Sequence, residues 1–162
     1  MIMEPSLLEI LTVRDVNASI AYVFKAWSDP FHLRNWWGPR GFTNTFNDFD
    51  FKPGGRWSFV MHGPDGGKYV NEAVFSAIEA PTYIAFDHIS PPEFRIEARF
   101  EPLTDSSTRI SFKMIFKTAA ERDKLIGIVP EKNEENFDRL EEELLKMKQE
   151  GQEAGWEPID PA

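Results

Sequence analysis

Residues 93–102 read EFRIEARFEP, and residues 107–117 read STRISFKMIFK. In both segments large apolar side chains alternate with charged or hydroxyl side chains, which is typical of β-strands that bury one face. The apolar positions are Phe94, Ile96, Ala98 and Phe100, followed by Ile110, Phe112, Met114 and Phe116. Thr104-Asp105-Ser106 supplies turn-forming residues between the two segments. The pattern therefore predicts an antiparallel pair with one apolar and one solvated face.

The same alternation extends toward the N-terminus. It predicts further strands at residues 7–14, 43–52, 56–62, 68–79 and 82–89, separated by segments rich in Gly and Pro. Asp65-Gly66 is the strongest hairpin signal. On the inward face the strands add Trp57, Phe59, Met61, Ile84, Phe86 and His88.

Two short helices are expected between the first two strands. Ser19 is a candidate N-cap, and Ile20, Val23, Phe24 and Trp27 then recur at helical spacing. Asp29-Pro30 ends this helix and begins a second one, which should end near Gly38-Pro39.

A long helix is predicted at residues 131–149, which contain no Gly or Pro. Its narrow apolar stripe consists of Phe137, Leu140, Leu144 and Met147. We expect the run Glu141-Glu142-Glu143 to be a solvated face. Residues 150–162 are expected to be a flexible tail, with Trp156 at most loosely docked.

These elements predict an α+β fold in one domain, residues 1–149. A curved antiparallel sheet of six or seven strands packs its apolar face, with two short helices, against the long C-terminal helix. One turn before its stripe, the helix carries Asn133. A fully packed core does not favour an amide at such a position, which hints at a hollow.

Composition narrows the function classes. The chain has 162 residues, a formal net charge of −9 and no cysteine. The acidic charge argues against a nucleic-acid partner, and the absence of cysteine excludes disulfides, thiol nucleophiles and thiolate metal sites. Charged residues are scattered through the first twenty positions, and no apolar run spans a bilayer, so we expect neither a secretory leader nor membrane insertion. A cytoplasmic location is expected.

Several motifs are more specific. They are WSDP at residues 27–30, LRNWWGPRGF at 33–42, DFKPGGRW at 50–57, MHGPDG at 61–66, Ala80-Pro81, TRIS at 108–111, AERD at 120–123 and FDRL at 137–140. Together they resemble the bacterial branch of the activator-of-heat-shock-ATPase homologue family, within the START-like, or SRPBCC, superfamily. The resemblance covers about residues 7–148 and implies a helix-grip fold.

The resemblance also implies a cavity between the sheet and the C-terminal helix. Superfamily members are similar in binding hydrophobic small molecules there, and some are cyclases or dehydratases. The eukaryotic namesake uses an additional N-terminal domain to engage its chaperone, and a chain of this length has no room for one. Members of the bacterial branch commonly carry Gly-Trp where this chain has Lys132-Asn133, so a larger and more polar pocket is expected here.

The primary hypothesis is that the cavity binds a small hydrophobic or aromatic molecule. The candidate ligand-binding residues are Trp37, Trp57, Phe59, Met61, Tyr69, Asn71, Phe86, His88, Phe94, Met114, Asn133 and Phe137. Aromatic walls interrupted by a few polar groups are typical of ligand pockets.

Two alternatives remain open at the sequence level. One is an enzyme of the cyclase, dehydratase or hydrolase type that uses the same cavity, with His88 or Glu72 as candidate acid–base groups. The other is a protein-interaction module, with a chaperone as one partner to consider. No metal-ligand triad and no cofactor fingerprint is legible, so neither a metal nor a cofactor is expected. A homodimer is compatible with the sequence, which does not determine the oligomeric state.

Overall fold

The computed structural model describes residues 7–153. Its eleven elements are β1 (Glu9–Val16), α1 (Ile20–Ser28), α2 (Pro30–Trp36), β2 (Thr43–Phe49), β3 (Arg56–His62), β4 (Lys68–Glu79), β5 (Tyr83–His88), β6 (Phe94–Thr104), β7 (Ser107–Phe116), α3 (Ala119–Leu125) and α4 (Val129–Glu153). The predicted order of strands and helices is confirmed, and α3 is the one element in these residues that the sequence interpretation missed.

The seven strands form one antiparallel sheet with the order β1-β7-β6-β5-β4-β3-β2. Strands that follow one another from β2 to β7 are neighbours, and β1 joins the sheet beside β7. The sheet is open and curved, so β1 and β2 are its edge strands. Helices α1, α2 and α4 cover its apolar face, which confirms the predicted α+β fold.

The predicted facing of the strands is correct. The inward positions of β5, β6 and β7 are buried except for half-buried Phe94, whereas Arg95, Arg99 and Arg109 on the opposite face are exposed. From α4, Phe137, Leu140, Leu144 and Met147 all enter the core, as the stripe predicted.

Several boundaries differ from the expectations. Strand β1 lies two residues later than predicted. Strand β2 contains a bulge at Phe46/Asp48, resumes its pairing with β3, and ends at Phe49 because the chain then turns at residues 50–55. Helix α4 begins at Val129 and runs four residues past its predicted end, to Glu153. Residues 150–153 of the predicted flexible tail are therefore helical. The rest of the tail, including Trp156, lies outside the described residues, so its predicted mobility stays a prediction.

The missed helix α3 has a recognisable sequence signal. Thr118 is its N-cap, and the Thr118 hydroxyl accepts a hydrogen bond from the backbone N–H of Glu121 at 3.1 Å. Thr and Glu at this spacing are the capping-box pattern. Helix α3 buries none of its residues, and for that reason it lacks the apolar periodicity by which the other helices were predicted.

An aromatic cluster fills the core beneath α1 and α2. Trp27 lies against Trp36 with ring centroids 4.8 Å apart, and Trp57 stacks on Phe59 at 4.4 Å. Both Trp36 and Trp57 are at most 1% exposed. They differ in one respect: the Trp36 indole N–H donates to the Ala26 carbonyl at 3.0 Å, whereas the Trp57 indole N–H has no partner in the described part of the chain.

This difference gives a prediction about two chemically identical substitutions. We expect Trp36→Phe to lower the free energy of unfolding by about 1–2 kcal/mol more than Trp57→Phe. The first change breaks a buried hydrogen bond, whereas the second removes an unsatisfied donor along with the indole ring. Urea denaturation of the two variants measures the difference, and equal losses would contradict the assignment of these bonds.

Candidate functional site

A cavity of about 150 Å³ lies between the sheet and α4. Eight of the thirteen residues around it are apolar or aromatic, four are amides or imidazole, and one is glycine. The wall consists of Trp37, Gly38, Phe59, Met61, Asn71, Phe86, His88, Phe94, Ile96, Phe112, Met114, Asn133 and Asn136. It is therefore a mostly apolar hollow with a few polar groups, in the position that the family resemblance implied.

The structure places nine of the twelve predicted ligand-binding residues in this wall: Trp37, Phe59, Met61, Asn71, Phe86, His88, Phe94, Met114 and Asn133. The other three lie elsewhere. Trp57 and Phe137 are fully buried in the packed core, and Tyr69 is 49% exposed and packs on Phe42. Inward parity alone does not separate a residue that lines a hollow from one that packs beside it.

Four wall residues were absent from the predicted set. Ile96 and Phe112 were assigned to the inward face but not to the pocket, and Gly38 contributes only backbone. Asn136 had a signal: it lies three residues after Asn133, on the same face of α4. Its Oδ1 accepts the backbone N–H of Gly38 at 3.1 Å.

The polar groups on α4 have unequal partners. The Asn133 Nδ2 donates to the Thr12 hydroxyl at 3.3 Å and approaches the Met114 sulfur at 3.7 Å. Within residues 7–153, neither Asn133 Oδ1 nor Asn136 Nδ2 has a hydrogen-bond partner. The cavity therefore offers one acceptor and one donor from α4.

His88 is held at the end of β5. Its Nδ1 lies 2.9 Å from the Pro92 carbonyl oxygen, and its Nε2 lies 2.7 Å from the Asn71 Oδ1. The imidazole stacks on Phe94, with ring centroids 4.6 Å apart and planes nearly parallel. Burial lowers the pKa of His88 below its ordinary value, and the hydrogen bond to Pro92 opposes this shift.

The rim of the cavity, residues 35–40, is bound to α4 by Arg139. Its guanidinium donates to the carbonyls of Trp37, Gly38 and Pro39 through Nη1 and to that of Asn35 through Nη2, at 2.8–3.3 Å. Gly38 itself has φ +97°, and a Cβ there would lie 2.6 Å from the Met61 methyl carbon. The close fit of rim, strand β3 and α4 positions Trp37 over the cavity.

Glu72, the second candidate acid–base residue, is misplaced for that role. Its side chain is 39% exposed and lies 3.4 Å from the Arg56 guanidinium on the neighbouring strand. A β-bulge that turned Glu72 inward would have been needed, but the irregularity of β4 falls later, between Phe75 and Ala77. The structure therefore places this candidate outside the cavity, on the solvated face of the sheet.

The acidic run of α4 is not simply a solvated face. Glu141 contacts Arg14 at 2.7 Å, and Glu142 pairs with Arg40 at the surface. Glu143 is only 7% exposed and accepts hydrogen bonds from His32 Nδ1 and Asn35 Nδ2 at 2.8 and 3.2 Å. The expectation of a solvated run fails at Glu143, because α2 packs directly over that position.

Two other features bear on function. Within residues 7–153 the structure has no group of three or more His, Asp or Glu side chains placed to hold a metal ion. Hollows of about 250 and 500 Å³ lie on the outer sheet face, but charged residues such as Arg99, Lys113 and Arg109 line them. Compared with these two hollows, the cavity under α4 has a mostly apolar wall, which suits an apolar molecule.

Residues 17–145 match the family model described as Activator of Hsp90 ATPase homolog 1-like protein. The chain belongs to this family. The match covers α1 to most of α4, including every residue of the cavity wall. None of the curated proteins matches the chain.

Solved structures of bacterial proteins share the fold. An Arthrobacter aurescens protein is 26% identical with a TM-score of 0.81, over 88% of this chain and 90% of its own. The Nitrosomonas europaea protein NE0264 is 19% identical with a TM-score of 0.82, over 90% and 99%. The AHSA1 protein of Silicibacter pomeroyi is 20% identical with a TM-score of 0.72, over 86% and 99%.

The family and fold are associated with the binding of hydrophobic ligands or of other proteins. In the described part of the chain, every helix is too short or too polar to cross a bilayer.

Proposed function

We propose that this protein binds a small, mostly apolar molecule in the cavity between the sheet and α4. The observation that carries the proposal is the wall itself, in which eight apolar or aromatic side chains surround four convergent polar ones. Ligand pockets generally have this composition, with apolar area for affinity and a few polar groups for orientation.

The volume limits the size of the molecule. Pockets for drug-sized ligands have volumes of about 300–1,000 Å³, whereas this one has about 150 Å³. An apolar cavity of about 150 Å³ accommodates benzene. The proposed ligand therefore has about the size of one substituted ring. The expectation that Asn133 creates a larger pocket than that of relatives stays a prediction.

Asn133 offers a direct way to fill the cavity. It is 9% exposed and its side chain faces the hollow, so Asn133→Trp places an indole there. The matched control is Leu145→Trp, which adds an indole to an exposed position of the same helix. Both variants change one residue of α4, but only the first occupies the proposed binding site.

We expect the freshly purified protein to show an adduct in native mass spectrometry that is absent from the denatured mass. Asn133→Trp should lose the adduct, and Leu145→Trp should keep it. Because a buried indole also risks overpacking, circular dichroism of each variant must first show the native fold. An adduct that persists in folded Asn133→Trp would contradict binding in this cavity.

A further inference from the structure

The hydrogen bonds of His88 suit its protonated form. The Pro92 carbonyl can only accept, so Nδ1 carries a proton. The Asn71 Nδ2 donates to the Tyr69 carbonyl at 2.8 Å, which directs the Asn71 Oδ1 toward Nε2 at 2.7 Å. A carbonyl oxygen at that distance also needs a proton on Nε2. Both ring nitrogens therefore donate only when His88 is an imidazolium.

The neutral imidazole of His88 can also form a hydrogen bond through Nε2, but a longer one. The Ser90 Oγ lies 3.4 Å from Nε2 and already accepts the backbone N–H of Glu72, so its own hydrogen is free to donate to an unprotonated Nε2. This contact is longer than the one from Nε2 to Asn71. His88 can therefore exist in both protonation states, and the shorter hydrogen bond belongs to the charged one.

Nothing in the wall balances the charge of that imidazolium. His88 is the one titratable side chain among the thirteen wall residues. Phe94 of β6 stacks on the ring, and the groups that α4 adds to the same cavity wall are the neutral amides Asn133 and Asn136. The charged groups on neighbouring segments form exposed surface pairs with one another: Glu72 with Arg56, Asp87 with Arg95, and Glu93 with Lys117.

We propose that the cavity selects a monocyclic weak acid and binds its ionised group beside His88 and Asn71. This inference rests on the proposed function and specifies its ligand class. An anion in a mostly apolar site requires a cationic or hydrogen-bonding partner. Protonated His88 supplies the positive charge while its two N–H groups stay on Pro92 and Asn71. The hydrogen bond comes from Asn71 Nδ2, which has a second hydrogen besides the one that it donates to Tyr69. Burial disfavours the positive charge on His88, so an anion that binds beside the ring draws a proton onto it.

Three probes of similar size test the proposal: benzoate, its neutral amide benzamide, and toluene. The Met61 and Met114 methyl signals report occupancy of the cavity in NMR titrations. At about pH 5.5 we expect benzoate to bind about tenfold more tightly than benzamide, as a charge-assisted contact allows. This advantage should decrease toward about pH 8, and binding should take up a proton, measurable by calorimetry in buffers of different ionisation enthalpy.

Two variants test whether the preference for benzoate depends on the positive charge of His88 or only on the shape of the cavity. In His88→Gln the preference for benzoate over benzamide should vanish while toluene still binds. Asn71→Asp places a carboxylate about where the Asn71 amide oxygen lies, 2.7 Å from Nε2, and this negative charge balances that of the imidazolium. In this variant too, benzoate should therefore bind no more tightly than benzamide. Because Asn71→Asp has nearly the same shape as the parent residue, it keeps the test valid if His88→Gln does not fold.

The outcomes distinguish the two proposals. If toluene binds but benzoate binds no more tightly than benzamide, or if both variants keep the preference for benzoate, the weak-acid inference is wrong and cavity binding stands. If none of the three probes changes the Met61 and Met114 signals, both proposals are overturned.

Discussion

Replacement of Arg139 by methionine is expected to lower the free energy of unfolding by about 3 kcal/mol. The guanidinium donates to four carbonyls of the segment from Asn35 to Pro39, and methionine keeps the length of the side chain but none of these bonds. Burial lowers the pKa of Arg139, and the nearby Arg40 guanidinium acts in the same direction. Chemical denaturation monitored by tryptophan fluorescence measures the loss.

The control for this experiment is Arg40→Met. Arg40 also reaches α4, but its bond to Glu142 joins two exposed side chains. Exposed pairs contribute about 0–1 kcal/mol, so this variant should be close to the parent protein. Arg139→Lys, which retains the charge but not the planar fork, should fall between the two. Similar losses of unfolding free energy in Arg139→Met and Arg40→Met would contradict the claim that Arg139 holds residues 35–40 against α4.

Phe137→Ala is expected to have the largest effect, a loss of about 4 kcal/mol. Phe137 is completely buried on α4, and its ring lies 5.4 Å from that of Phe112 in an edge-on contact. Its removal leaves a hole in a packed region, and both the lost apolar contacts and the hole destabilise the fold. Thermal and urea unfolding report the change.

Phe94→Ala serves as the matched comparison, since Phe94 is only partly buried and already borders the cavity. We expect its cost to be clearly smaller than that of Phe137→Ala, because fewer packed atoms are lost. Equal losses of unfolding free energy in the two variants would indicate that Phe94 is packed as tightly as Phe137, which would contradict a hollow beside it.

The strands were predictable because one face of the sheet is buried and the other is solvated. The alternation in residues 93–117 arises directly from that asymmetry, and it gave both the strands and the facing of Phe94 and Met114 correctly. The apolar stripe of α4 was equally informative. Exposed helix α3 escaped prediction because it buries none of its residues.

Contacts between polar residues far apart in sequence were the main part that could not be predicted. Glu143 lies in an acidic run, and only the packing of α2, more than a hundred positions earlier, makes it a buried partner of His32. The same holds for Arg139 and the carbonyls of the rim. Charge patterns along one helix do not encode which neighbour covers each turn.

The sequence allowed us to predict which residues face the interior, but not the shape of the cavity that they enclose. Nine of the twelve candidates, chosen from the inward strand positions, the rim segment and one face of α4, lie around the hollow, but the same reasoning also selected Trp57 and Phe137, whose rings pack against their neighbours. The volume of about 150 Å³ depends on how all these side chains fit together. No local sequence pattern encodes that fit.

The most direct test of cavity binding is a toluene titration followed through the methionine methyl groups in ¹H–¹³C NMR spectra. Met61 and Met114 line the cavity, whereas Met147 is buried in the core at the other end of α4. We predict saturable shifts of the Met61 and Met114 signals and a constant Met147 signal. Unchanged Met61 and Met114 signals, or equal shifts of all three, would contradict a binding cavity beneath α4.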